Sequence, residues 1–264
     1  MGKADASSIR LSYYMLQQDP LLFTRNAAPL IFWQKKSVTG HPGSKRKDSL
    51  VPRINIWFKE FRAEFLTASV IPVLLATAVA RHETGLFDTF LFVMTLAGVV
   101  FLHLGTNIAN DFFDHLSGND ILNTQYVRPF TGGSRLIQDG LITPRAVIMT
   151  SIAFFAAAVI VGIVLTMIRG PVILLFGLAG IVSGYFYTAP PLRFANRGLG
   201  ETIVGVNFGL LIVMGTYYVQ TGSISGGCIV ASLPLTFLVA SVILINEFQD
   251  STADALAGKR TLVV

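Results

Sequence analysis

From residue 202 to residue 246 the chain carries no charged side chain. As a single helix rising about 1.5 Å per residue, this stretch would be more than twice the thickness of a bilayer's hydrocarbon core, roughly 30 Å. It must therefore turn back on itself, and the cluster Thr221-Gly222-Ser223-Ile224-Ser225-Gly226-Gly227 marks the place. The run reads as two membrane spans, 202–220 and 228–246. Four further apolar stretches precede it, at 65–80, 89–110, 146–168 and 170–192. Strands of a membrane barrel alternate apolar and polar residues, so continuous apolar runs of this length predict helices. The expected fold class is all-α, a polytopic transmembrane bundle of six spans.

Composition agrees and removes other classes. Charged residues make up 13% of the chain, about half the share found in soluble domains, roughly 25%. A hydrophobic content of 52% with 20 Phe excludes disorder. A single cysteine, Cys228, excludes a disulfide scaffold and a Cys-based metal cluster. The net charge of +5 is what basic cytoplasmic loops give a membrane protein, and no nucleic-acid partner is expected. Of the 20 Lys and Arg, all but Arg81 and Arg169 fall on the side that holds the N-terminal segment, the connections 111–145 and 193–201, and the C-terminal end. The positive-inside rule places that side, with the N-terminus, in the cytoplasm. Two regions are expected: a basic N-terminal segment and linker over 1–56, lying near anionic headgroups and without the h-region of a secretory signal, and a membrane domain over 57–264.

The acidic residues are the informative ones. The second span ends in Asn107-Ile108-Ala109-Asn110-Asp111-Phe112-Phe113-Asp114, and the sixth in Asn246-Glu247-Phe248-Gln249-Asp250-Ser251-Thr252-Ala253-Asp254. Spacings of three and four put Asn107, Asp111 and Asp114 on one helix face, and Asn246, Asp250 and Asp254 on another. Two acidic stripes leaving the membrane on one side repel each other unless a cation joins them. Hard oxygen ligands suit Mg²⁺, which takes one or two carboxylates together with substrate phosphates. Asp111, Asp114, Asp250 and Asp254 are therefore the candidate metal ligands and catalytic residues, whereas Asp120 and Glu247, each taken alone, read as helix-end acids. Arg128 and Arg135 flank the Gly132-Gly133 pair, Arg193 follows the fourth span, and Lys259 adjoins the second stripe. Such groups can clamp phosphate oxygens, although the topology rule also calls for basic residues there.

These blocks resemble the UbiA superfamily of membrane prenyltransferases over about 57–264. The residues that carry the likeness are Asn110-Asp111-x-x-Asp114, Arg128-Pro129, and Asp250-x-x-x-Asp254 followed by Gly258-Lys259-Arg260-Thr261. Tyr187-Thr188-Ala189-Pro190-Pro191-Leu192 and Arg197-Gly198-Leu199-Gly200-Glu201 are most similar to the naphthoate branch of menaquinone synthesis. In the ubiquinone branch a third acid stands four residues after the second; here that position is Gly118, and Asp120 follows it.

The resemblance implies a polyprenyltransferase of the inner membrane, with polyprenyl diphosphate and an aromatic acceptor as partners. Asn110, Asp111, Asp114, Asp250 and Asp254 would hold Mg²⁺ against the diphosphate, and Arg128 and Lys259 would bind its oxygens. Asn107, Asn246, Arg135 and Arg193 would complete the substrate site. Tyr187, with Tyr185 and Phe112, would line it, and His103 is expected as a packed residue of the bundle. The family has nine membrane helices, so a chain with six is expected to be truncated at the C-terminus. Other acceptors, such as 4-hydroxybenzoate, homogentisate or a glycerol phosphate, would use the same acidic machinery. A secondary transporter is the rival from another class, but its intramembrane acids would sit near the midplane.

Overall fold

A computed structural model of the chain describes residues 53–264, apart from 124, 125, 128 and 129. The expectations for residues 1–52 and for Arg128 lie outside the described residues. Helix α1 (Arg53–Phe61) is amphipathic: Ile56, Trp57 and Phe61 pack on a cluster of Ile108, Leu136 and Val147, while Phe58 stays exposed. A 3-10 turn, Ala63–Leu66, leads into α2 (Thr67–Thr84). Helix α3 (Thr89–Ser117) starts where the Asp88 carboxylate accepts from the Leu91 N–H at 3.0 Å, satisfying one of the orphan donors of a first turn. A single turn, α4 (Asn119–Leu122), follows it. Helix α5 (Pro144–Arg169) begins with Thr143 as its cap and proline at its first position. Then come α6 (Val172–Tyr185), α7 (Gly200–Thr221) and α8 (Gly226–Leu256), the last capped by Ser225. There is no strand among the described residues.

The all-α expectation holds, with one correction to the number of spans. Five helices are long and apolar enough to cross a membrane: Ala63–Thr84, Thr89–Ser117, Pro144–Arg169, Gly200–Thr221 and Gly226–Ala257. The fourth expected span, 170–192, is a helix of 14 residues that ends at Tyr185, roughly 21 Å against a core of about 30 Å. Pro190 and Pro191 keep the helix from continuing to residue 192. Proline has no N–H to continue the ladder and pushes the residue before it out of the helical region. Elsewhere the helices run past the expected apolar boundaries. Helix α3 continues through Asp111 and Asp114, and α8 through Asp250 and Asp254, so each acidic stripe is a direct extension of a membrane helix.

Packing is most extensive between α3 and α5 and, almost equally, between α8 and α7, followed by α2 on α7. The Ser151 hydroxyl of α5 donates to the Gly105 carbonyl of α3 at 2.7 Å. At the end remote from the acidic stripes, the Tyr217 hydroxyl donates to Glu83 at 2.7 Å, and the Gln220 amide pairs both ways with the Asp88 backbone at 2.9 and 3.1 Å. The outer faces of α5, α6 and α8 leave Met167, Leu175 and Phe237 largely uncovered, which soluble proteins avoid on this scale and lipid accepts.

In the middle of α7, Val206–Leu211 is π-helical, and its Gly209 lies directly against Thr236 of α8. A Cβ on Gly209 would fall on the Thr236 hydroxyl and backbone. Gly209→Ala is therefore expected to separate α7 from α8 and cost about 1–3 kcal/mol. A lowered melting temperature of the detergent-solubilised protein would show it; an unchanged one would mean that this contact does not hold the two helices together.

Candidate active site

The bundle encloses a cavity of about 430 Å³. Its inner walls are apolar, with Val99 and Leu102 of α3, Ile181 of α6 and Leu211 of α7 among them. Its charged lining is gathered where α3 and α8 end: Asp114, Asp120, Glu247, Asp250 and Asp254 against Arg62 and Lys259. The two stripes are joined directly. Lys259 Nζ lies 3.2 Å from Asp114 and 3.7 Å from Asp254, and Asn123 Nδ2 donates to Asp250 at 2.7 Å. Lys259 reaches this place because Gly258, at φ +74°, turns the chain back at the end of α8, a conformation that costs glycine little. The Lys259 N–H then donates to the Asp254 carbonyl at 2.8 Å.

The face of α3 turned to the cavity differs from expectation. Asn107, Asn110 and Asp114 line it, whereas Asp111 lies just outside the lining, buried behind Gly133. Positions 110 and 111 differ by about 100° around a helix, so the spacing that groups 107, 111 and 114 also fits 107, 110 and 114. Asp111 Oδ2 accepts from the Ser134 N–H at 2.9 Å, and its Oδ1 has no hydrogen-bond partner.

The other expected residues divide. Asn246, Tyr187 and Lys259 line the cavity. Arg135 does not; its guanidinium donates to the carbonyls of Asp120 and Asn123 at 2.7 and 3.1 Å and lies over the Tyr126 ring, holding the connection in shape. Arg193 is exposed and is not among the lining residues. Phe112 packs in the cluster beneath α1, and Tyr185 stacks edgewise on Phe113 and Phe186. His103 is buried, with Nδ1 2.6 Å from the Ser69 hydroxyl, and it also lines the cavity.

Sequence reasoning missed several participants. Asp120 is more than a helix-end acid: it is buried, faces the cavity and accepts from Gln138 at 2.6 Å. Asn119 and Asn123 also line the cavity, and Glu60 of α1 is fully buried against Ser134. Glu60 had a signal in the sequence, since it interrupts the apolar face Ile56, Trp57, Phe61 of an amphipathic helix.

The profile of the UbiA prenyltransferase family matches residues 69–264. The chain belongs to that family. It is 29% identical over 203 residues to a 1,4-dihydroxy-2-naphthoate octaprenyltransferase of Bacillus subtilis, an overlap of 77% of this chain and 63% of that one. Against a protein of the same name from Mycobacterium tuberculosis it is 30% identical over 210 residues, 79% of this chain and 68% of the relative. A 2-carboxy-1,4-naphthoquinone phytyltransferase of Synechocystis sp. is 29% identical over 212 residues, 79% and 65%. The chain thus spans about two thirds of the length of these relatives. Like the UbiA family, and as its apolar helices require, it is a multi-pass membrane protein.

Whether the UbiA site can hold a divalent ion depends on its donors. Among the described residues no three His, Cys, Asp or Glu side chains form a ready-made metal cage. Mg²⁺ does not need one, because it commonly takes one or two carboxylates and fills its other positions with phosphate oxygens and water. Asp114 and Asp254 are held within reach of one Lys259 nitrogen, and Asn110 Oδ1 beside them is buried without a partner. This donor set fits a Mg²⁺ that arrives with a diphosphate.

Electrostatics show the strain of gathering these acids. Burial, then the charges of Asp114 and Asp111, push the Asp120 carboxyl up to about 8. Burial and the charge of Asp111 push Glu60 to about 7. Burial would lower Lys259, but Asp114 and Asp254 outweigh it and the ammonium is held above its ordinary value. Tyr187 is held protonated by burial and by the charges of Glu247 and Asp114.

A carboxyl raised in this way keeps its proton in the folded state, so its contribution to stability is present at acid pH and is lost as pH rises through about 8. Asp120→Asn preserves an acceptor for Gln138 and cannot ionise. In chelator, its melting temperature is expected to fall less than that of the parent between about pH 5 and pH 8.5. Identical pH profiles would show that Asp120 does not carry this proton.

Proposed function

We propose that this chain is a Mg²⁺-dependent polyprenyltransferase. It moves a polyprenyl group from polyprenyl diphosphate to an electron-rich aromatic acceptor, 1,4-dihydroxy-2-naphthoate, in menaquinone synthesis. The membrane domain over 57–264 carries the site, which faces the cytoplasm from the inner membrane, on the side where the basic residues collect. One observation supports the reading above others: two acidic stripes and a lysine meet at the mouth of a cavity whose inner walls are apolar. The mouth suits a metal-bound diphosphate, and the walls suit a hydrocarbon tail. The names of the Bacillus and Mycobacterium relatives supply the acceptor.

Bound Mg²⁺ would be held by Asp114, Asp250 and Asp254, with Asn110 and Asp111 alongside, and would offset the negative charge that grows on the departing diphosphate. Lys259 exchanges its contact with Asp114 for a diphosphate oxygen and carries part of the same charge. The Tyr187 hydroxyl, kept protonated by its surroundings, offers a further donor at the mouth. Asn107 and Asn246 line the wall next to the stripes and orient the polar head of the substrates. The allylic C–O bond breaks with its electron pair leaving on the diphosphate, and the acceptor's ring carbon forms the new C–C bond while the ring carboxylate departs as CO2 and returns its bonding pair to the aromatic ring. Val99, Leu102, Ile181 and Leu211 enclose the tail and exclude water, which would otherwise capture the allylic cation.

Asp114→Asn and Asp250→Asn keep size and hydrogen-bond acceptors but lose the charge. Each is expected to lower prenyl transfer about 100-fold or more while the protein still inserts and folds. Near-normal transfer at limiting Mg²⁺ would reduce these acids to helix ends. A panel of acceptors with one diphosphate donor, read by mass, fixes the substrate: demethylmenaquinol, or the quinone it forms in air, is expected, and product formed only from 4-hydroxybenzoate would overturn the choice. No product with any acceptor, with or without chelator, would overturn the enzymatic reading itself.

A further inference from the structure

Helix α1 carries a charged residue that is fully buried, Glu60. Its Oε2 accepts from the Ser134 hydroxyl at 2.6 Å, and its Oε1 has no hydrogen-bond partner. Ser134 is engaged on two further sides. Its N–H donates to Asp111 Oδ2 at 2.9 Å, and its hydroxyl oxygen accepts from the Leu136 N–H at 3.3 Å. The preceding residues, Gly132 and Gly133, form part of the cavity wall, and a Cβ on Gly133 would lie 3.0 Å from Asp111 Oδ1. A single serine thus ties a carboxylate on α1 to a carboxylate in the first acidic stripe, and the wall beside the stripe hangs from it.

We infer that Glu60 is a positioning residue: by fixing the Ser134 hydroxyl, it sets the Gly132-Gly133-Ser134 turn so that the Ser134 N–H holds Asp111 at the edge of the diphosphate-binding mouth. Packing alone gives no reason for an acid at this position. Ile56, Trp57 and Phe61 occupy the same face of α1 and bury it in an apolar cluster, and an apolar side chain would complete that face without the cost of desolvating a carboxyl group. What the acid supplies is an acceptor at a fixed point. The Ser134 hydroxyl needs one, and the turn that carries Ser134 has two glycines before it, which leave it free to move when it is not held. Asp111, with Oδ1 unpartnered, is held through Oδ2 by the Ser134 N–H. A turn that drifts releases Asp111 and reshapes the wall next to Asn110 and Asp114.

The inference rests on the prenyl-diphosphate reading for its functional consequence, but not for its geometry. Glu60→Leu, Glu60→Gln and Ser134→Ala, each in the full chain, separate the two. Amide hydrogen exchange reads the turn directly: Glu60→Leu and Ser134→Ala are expected to speed exchange across 132–134, and Glu60→Gln, which keeps an acceptor, to leave it protected. Mg²⁺-dependent binding of inorganic pyrophosphate is expected to weaken about 10- to 100-fold in Glu60→Leu, the usual effect of losing a group that orients a metal ligand. It is expected to recover to within about threefold of the parent in Glu60→Gln, and the double variant Glu60→Leu/Ser134→Ala should be no weaker than either single one. A merely structural glutamate predicts the reverse, a lowered melting temperature in Glu60→Leu with exchange and pyrophosphate binding unmoved; that result overturns the proposal. If Glu60→Leu does not fold, Ser134→Ala decides alone, since unchanged exchange and binding in it overturn the proposal equally. A parent protein that binds no pyrophosphate at all, with the exchange differences as expected, would refute the diphosphate reading and leave the positioning of Asp111 by Glu60 standing.

Discussion

A lysine nitrogen held between two aspartates of different helices is the interaction on which this molecule turns. Lys259 lies between Asp114 at the end of α3 and Asp254 at the end of α8. Carboxylates so gathered at the edge of an apolar bundle cost several kcal/mol each unless a cation compensates them. The architecture serves that compensation. Helices α3 and α8 extend beyond the apolar segments and bring their acids together, and Gly258 turns the chain so that the lysine after the second stripe reaches the first. The acids still outnumber the bases in the lining. That surplus is what makes the mouth receptive to a divalent ion, and an apolar cavity behind it is what makes a prenyl diphosphate the fitting companion.

The two ends of the bundle are built to different rules. At the remote end most polar groups are paired within the protein: Tyr217 with Glu83, Gln220 with the backbone of Asp88, and one nitrogen of the Arg169 guanidinium on the Gln220 carbonyl at 3.1 Å, while Arg169 Nε is buried without a partner. At the acidic end buried oxygens stand without partners, on Asn110, Asp111, Asn119 and Glu60. An unsatisfied buried acceptor is costly, so the cost is concentrated where a ligand can remove it. Closed pairing holds helices α2, α3 and α7 in place, and the open pairing at the other end is available for chemistry. Helix α1 joins the second group through Glu60 and Ser134, which links a surface-lying amphipathic helix to the geometry of the site.

The linear pattern already determined a good deal about this protein. Uninterrupted apolar runs set the all-helical membrane fold, because a backbone in lipid must satisfy its hydrogen bonds within the segment. The two Asn/Asp blocks at span ends set which helices carry the chemistry, and their spacing was enough to connect the chain with the UbiA family. What the tertiary structure decided lay in rotation and in non-local hydrogen bonds. A spacing of three or four names a helix face only to within a quarter turn, so only packing could turn Asn110 into the cavity and Asp111 towards Ser134. Arg135 looks like a phosphate ligand in sequence, yet two carbonyls of its own connection claim it. Asp120 looks incidental and Glu60 only an interruption of an apolar helix face, yet chain reversals far apart in sequence bury both beside the site. Hydropathy registers how much apolar length there is, not where a helix stops, and so the fourth span was shorter than its composition suggested. Local periodicity is written along the chain, but which partner satisfies a buried polar group depends on which distant segment folds against it.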